Sequence, residues 1–342
     1  MGSFGRRAVL SAIVRSILVC LVALLSPIAA AEDLADELRS TPYKIVYETW
    51  RDGNWELFVS SADGSKLENL TSTPDTDEMY PHASPDGTKL AFVCDEGQAA
   101  AKVRNVYVMN MDGTERTLVA RNARQPCWKA DSTAIAYLKG EVEQFSYTDY
   151  ASKGVCVYEV ATGKHTDHPN ADLFHLYNLC WSPDSKCFLA TVHAGMGYSH
   201  AILAFDAEGS AVHDLKIPGC RPDISPDGRR VAWGASDWVL RVGELDFSGE
   251  VPRIVNARDV VTSEKPMKIY HADWSPDGKY LAFSRGPDRK ILGLIPEIVG
   301  AKARGWDIGV ADASQTNRMV MITSDGNCNK EPDWIPVKKD TP

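Results

Sequence analysis

Asp223, Asp273 and Asp333 occupy the same place in three copies of one repeated string, two residues ahead of Ser225, Ser275 and Ile335. Carboxylates gathered by a repeat could exchange protons with a substrate as general acids and bases, or bind a polar ligand. In the other copies this position holds His82, Cys127 and Cys180. Two residues earlier stand Tyr80, Gln125, Asn178, Arg221, His271 and Glu331, all polar or amphipathic. If the copies surround an axis, these columns become two stacked rings: an outer one at a channel mouth, and one a layer deeper with three acids on consecutive copies. The candidate ligand-binding set is therefore Tyr80, His82, Gln125, Asn178, Arg221, Asp223, His271, Asp273, Glu331 and Asp333. The competing reading is that such residues cap strand edges and bind channel water.

Two long connections would lie on the same face. Lys139–Lys153 carries Phe145, Tyr147 and Tyr150 as an aromatic platform, and Arg285–Gly305 is longer still. Long loops on a rigid scaffold are where binding usually resides. Tyr147, Tyr150, His193 and His200 are expected to contact the ligand, with His82 and His271 converging near the last two. A catalytic metal centre needs three ligands and an open position. No fixed histidine spacing supplies them, so neither metal nor cofactor is assigned. The G-x-S-x-G elbow and the Walker, kinase and zincin motifs are absent, and Gly195-Met-Gly197 lacks the strand-to-helix setting of a phosphate loop.

The elements that must position these residues are hairpins. His271–Phe283 reads HADWSPDGKYLAF, and Tyr80–Phe92 reads YPHASPDGTKLAF; further copies start at Gln125, Asn178 and Arg221, with a truncated one at Glu331–Val337. Their spacing is 43 to 60 residues. Pro-Asp-Gly sets a tight turn, because Pro presets φ, Asp bonds its own backbone and Gly accepts positive φ. The chain returns as a β-branched and aromatic strand with a small Ala at 91, 136, 232 and 282, which lets a neighbouring sheet pack close. More strand signals follow each hairpin, giving about four strands per unit. Helical periodicity is confined to Ala31–Arg39 and, weakly, Pro296–Lys302.

Such units, repeated about six times, predict an all-β fold: a six-bladed β-propeller of four-stranded antiparallel blades. The strand at Tyr43–Trp50 lacks an outgoing partner, and the strand at Glu331–Val337 has nothing after it. The C-terminal strand should therefore complete the N-terminal blade, closing the ring and removing free edges.

The string W-S-P-D-G-K-Y-L-A-F resembles the repeat of the TolB-like six-bladed propellers, and the resemblance spans residues 43–337. It implies a six-bladed ring. TolB itself is a periplasmic protein of the Tol–Pal system with an α/β domain ahead of its propeller. Between Ala31 and the first strand there is no room for that domain. Related propellers also gate prolyl oligopeptidases and act as pectin-fragment lyases, so the resemblance covers both binders and enzymes.

Residues 1–31 read as a signal peptide: Arg6, Arg7 and Arg15, the apolar run 16–25, and small residues up to a cleavage point near Ala31. The route is Sec or twin-arginine, and the destination the periplasm or outside the cell, with no transmembrane segment after cleavage. Residues 32–42 are then a linker, 43–337 the propeller and 338–342 a tail. Removing three Arg from 37 basic residues against 46 acidic ones leaves a formal charge near −12. Such a surface repels nucleic acid and anionic membrane. Seven of the eight cysteines remain, an odd number without C-x-x-C, which argues against a disulfide framework and a zinc ribbon. Cys180 and Cys187 flank one turn and are the pair that could join. Two functions follow. One is an exported, monomeric, non-catalytic propeller that binds a protein segment or carbohydrate of the envelope at its channel mouth. The alternative is a secreted polysaccharide lyase or glycoside hydrolase using Asp223, Asp273 and Asp333 with His271 or His193.

Overall fold

The computed structural model of the chain describes residues 31–249 and 251–337. The apolar run read as a leader and the tail at 338–342 lie outside the described residues. Six four-stranded antiparallel sheets form the blades of a propeller, as the repeats predict. Blade 1 joins Cys328–Ile335, Lys44–Arg51, Asn54–Ser61 and Glu68–Asn69 in that order. Blades 2 to 6 begin with the innermost strands Asp77–Ala83, Ala123–Trp128, Leu176–Trp181, Cys220–Ile224 and Met267–Trp274. The C-terminal strand is thus the innermost strand of the N-terminal blade, with Ile45 opposite Trp334 and Val46 opposite Asp333. Ring closure leaves no innermost strand unpaired.

Each blade's innermost strand is broken at the same point. The ladder register shifts between Met79 and His82, and at the equivalent place in every other blade. At the shift stand Tyr80, Gln125, Asn178, Arg221, His271 and Glu331, each with φ between 48° and 59°. A β-bulge re-aims a side chain and twists its strand, and a non-glycine residue in left-handed backbone costs about 1 kcal/mol or more. Six repetitions of this cost show that the bulge is a built feature. Pro follows it in four blades (Pro81, Pro126, Pro222 and Pro332), where a missing N–H breaks no ladder bond.

The turns behave as their composition dictates. Ser84 Oγ donates to Asp86 and accepts from Lys89 N, while Gly87 N closes the turn on Ser84 O. Ser182, Ser225 and Ser275 repeat the contact to Asp184, Asp227 and Asp277. The core lies between blades. Ala91, Ala136, Ala232 and Ala282 are fully buried and pair across the strand with His82, Cys127, Asp223 and Asp273.

Residues 31–39 are helical, so the segment expected as a linker is a docked element. Leu34 and Leu38 are buried against Tyr280 and Trp334, where blades 6 and 1 meet. Arg318 pairs with Asp33 and Glu37. The weak helical signal at Pro296–Lys302 gives consecutive turns instead, Ile298 N to Ile295 O and Ala301 N to Ile298 O. Two intervening backbone bonds are too few to propagate a helix.

Closure through Trp334 should dominate stability. Trp334→Ala is expected to cost about 3 to 5 kcal/mol in urea unfolding, against within about 0.5 kcal/mol for Leu67→Ala on the surface.

Candidate functional site

The ten residues read from the two columns all line one cavity on the channel axis, of about 80 Å³. The rings differ in character. The deeper one is a chain of blade-to-blade hydrogen bonds: Asp223 accepts from Trp274 N, Asp273 from Trp334 N and Asp333 from Ala83 N, each at 2.9 Å. Cys180 Sγ takes Ile224 N at 3.3 Å, and Cys127 takes the N–H of Trp181. Each side chain therefore ties its blade to the next. His82 departs from this pattern: its ring stands 3.8 Å from Asp333, and its Nδ1 is buried without a hydrogen bond. Neither Cys180 nor Cys187 forms the pair considered from sequence; both are free thiols. Cys180 lies opposite Leu189 and Cys187 opposite Asp206, so the hairpin register keeps them apart.

The acid cluster is protonation-sensitive. Burial pushes Asp223, Asp273 and Asp333 above the ordinary carboxylate range, and the acids raise one another further at Asp223 and Asp273. One carboxyl oxygen on each is fixed by a backbone N–H, which favours the ionised form but does not outweigh burial.

The outer ring is not an open mouth. Arg221 of blade 5 reaches across the axis to the Tyr80 hydroxyl of blade 2, directly opposite, at 3.1 Å, and to Asn178 Oδ1 at 3.0 Å. Its other nitrogen donates to Asp149 Oδ2 at 2.7 Å and to the Glu297 carbonyl at 2.9 Å. Asp149 belongs to the 139–153 loop and Glu297 to the 285–305 loop. The two loops meet there, with Val299 N on Asp149 Oδ1 at 3.0 Å. Lys330 Nζ holds the carbonyls of Pro296 and Ile298, and Lys268 pairs with Glu297 at 2.8 Å. Tyr80, Gln125, Arg221, His271 and Glu331 are buried in consequence. The expectation that this ring greets a ligand at the surface is corrected: the long loops cover it, because the guanidinium and ammonium groups buried there require acceptors.

His271 and Glu331 touch at 2.6 Å under this cover. Burial, together with Arg221 and Lys330, drives the imidazole far below its usual range, while burial pushes Glu331 up to about 8.

Of the loop residues, Tyr147 packs on Gly300 and Phe145, and Lys102 and Arg104 already occupy the faces of Phe145 and Tyr147. Tyr150 packs edge-on against His175 and at a tilt against His193. His193 and His200 sit on the hairpin of blade 4, away from the channel pair His82 and His271, so the expected convergence of four histidines does not occur. Among the described residues no three His, Cys, Asp or Glu side chains gather as metal ligands.

What the sequence reading missed is a second cavity. At the turn end of the channel a space of about 280 Å³ is walled by Trp128, Trp181, Trp274 and Trp334 with the turn prolines, and floored by Asp223, Asp273 and Asp333. The tryptophans that stand one residue before four of the six turns are the sequence signal for it. Trp128 and Trp274 donate their indole N–H to the carbonyls of His82 and Asp223 in the preceding blade, which ties both rings to the neighbouring strand.

No known family's sequence pattern matches the chain, and no curated protein does. Solved structures do. TolB from Acinetobacter baumannii superposes with a TM-score of 0.59 at 17% identity, covering 86% of this chain and 67% of that one. A putative TolB from Agrobacterium tumefaciens gives 0.54 at 16% identity, with 87% and 100% covered. The fold is that of the TolB-like propellers. Hydrazine synthase of Kuenenia stuttgartiensis also matches, at 0.61 and 10% identity, over 89% of this chain and 48% of that one. The same ring therefore serves unlike proteins, and the likeness carries architecture alone. Among the described residues of this TolB-like chain no helix is long and apolar enough to cross a membrane.

Two outcomes test the site. Asp149→Ala leaves a buried guanidinium without its carboxylate and should cost about 3 to 5 kcal/mol in urea unfolding, with faster amide exchange across residues 291–303. Because the ring acids bind protons more tightly folded than unfolded, they remove stability as pH rises above the ordinary carboxylate range, up to about 8 at Asp333. Asp273→Asn keeps an acceptor for Trp334 N and should raise Tm at pH 8 while changing it little at pH 5.

Proposed function

We propose that the protein is an exported, non-catalytic propeller that binds an extended protein segment through a basic side chain inserted into the turn-side mouth. The observation that carries this reading is the one-ended channel. Arg221 and the two loops close one end, which leaves the tryptophan-walled space above three aspartates as the opening on the axis. Indole rings around an acidic floor suit a lysine or arginine side chain, whose stem packs on the aromatics while its charge meets the carboxylates. A cavity of about 280 Å³ accommodates one side chain more readily than a sugar chain.

A propeller with a recognition mouth is the general role that the TolB-like fold supports. Export to the periplasm is consistent with the leader read at residues 1–31 and with the kind of protein its structural neighbours are named for. The carboxylates that a lyase or hydrolase would need each accept a blade-to-blade N–H, which favours binding over acid–base turnover.

The test is a tryptophan-fluorescence titration with tetrapeptides that differ only in a central Lys, Arg, Glu or neutral residue. Lys and Arg peptides should bind and the others should not. Affinity should rise from pH 6 to pH 8, because a cation favours the ionised carboxylates. Asp223→Asn with Asp333→Asn should weaken binding about tenfold or more, in line with losing one or two charge-assisted contacts. Equal binding of Lys and Glu peptides would sink the reading, as would indifference to the double substitution.

A further inference from the structure

Strands Cys187–Gly195 and Tyr198–Asp206 of blade 4 place His193 and His200 directly opposite one another. Their Nδ1 atoms are 3.2 Å apart. His200 Nε2 donates to the Gly219 carbonyl at 3.0 Å, so the neutral His200 ring turns a bare Nδ1 lone pair toward His193. That carbonyl is held in place: Gly219 has φ +103°, and a Cβ there would lie 1.9 Å from the Gly234 carbonyl oxygen. Metal-bound histidines are commonly oriented in this way, with the second ring nitrogen on a backbone carbonyl.

We propose that His193 and His200 form a surface site for a divalent ion of the zinc class, ligated by both Nδ1 atoms, with the remaining positions open to water or an incoming ligand. Zinc–nitrogen bonds of about 2.0 to 2.1 Å in a tetrahedron set the two ligand nitrogens about 3.3 to 3.4 Å apart, whereas a square-planar cis pair would sit nearer about 2.9 Å. The observed 3.2 Å lies closer to the tetrahedral edge.

The surroundings restrict the pair further. Tyr150 lies 4.6 Å from the His193 ring and 5.8 Å from that of His175. His175 is engaged elsewhere, by Ala194 O at 2.8 Å and Glu141 at 3.0 Å. The site therefore has two protein ligands and lies beside the loop whose Asp149 closes the channel.

Zinc chloride titrated calorimetrically into the tag-free chain at pH 7.5 should show one ion per chain. His193→Ala and His200→Ala should each weaken binding about tenfold or more, and His213→Ala should leave it unchanged. Binding should fade as pH drops through about 6, where imidazole takes up protons. In imidazole-region NMR, zinc should shift the His193 and His200 signals together. Absence of uptake by the wild type, which would mean that the two rings merely share a proton, overturns the proposal. So does wild-type affinity in both histidine variants, which would place the ion elsewhere, for example on the partly exposed thiols of Cys187 or Cys220.

Discussion

The side-chain hydrogen bond that five of the six blades make to the innermost strand of the next is the constraint on which the rest of the structure depends. Asp223, Asp273 and Asp333 hold the backbone of the following blade, and Cys180 and Cys127 do the same through sulfur. Such a bond requires the side chain to leave its own strand sideways toward its neighbour, and the bulge two residues earlier makes that possible. The small alanines across the strand keep the approach clear. A buried backbone N–H without a partner is costly, which favours residues with an acceptor at this position in five of the six blades. Three acids within one narrow channel are the result, and their raised proton affinity follows from burial together with their mutual proximity.

The same bulge aims the outer ring into the channel, and there the consequence is a charge problem. Arg221, Lys330 and Lys268 bring three cations to one end, and water alone does not satisfy groups buried so deeply. The long loops answer this need with Asp149, the Glu297 side chain and the carbonyls of Glu297, Pro296 and Ile298. The loops are thus long because they must reach the axis from blades 3 and 6. The cover they form leaves the tryptophan-walled turn side as the uncovered end of the channel. The two ends of the axis thus differ: charge pairs seal one, while aromatic walls and carboxylates face the other.

The repeats were legible because local chemistry fixes a hairpin. Ser-Pro-Asp-Gly forms its own turn bonds within six residues, and the returning strand follows from β-branched and aromatic composition. The unmatched strands at Tyr43–Trp50 and Glu331–Val337 made closure legible as well. The ring membership of Tyr80 or Arg221 could be read from column alignment. Their burial could not, since it depends on loops from blades remote in sequence. Trp128, Trp181, Trp274 and Trp334 stand inside the repeats, yet the cavity they wall together exists only once their blades are assembled.

By itself the sequence determined the strand pairs, the number of blades and how the ring is closed, because each rests on contacts within one hairpin or on one missing partner. Only the tertiary structure decided which mouth is open, which charges are neutralised and which histidines meet. Those outcomes depend on side chains from three or more blades converging on a shared axis, and on the low-dielectric environment that forms only once they have converged.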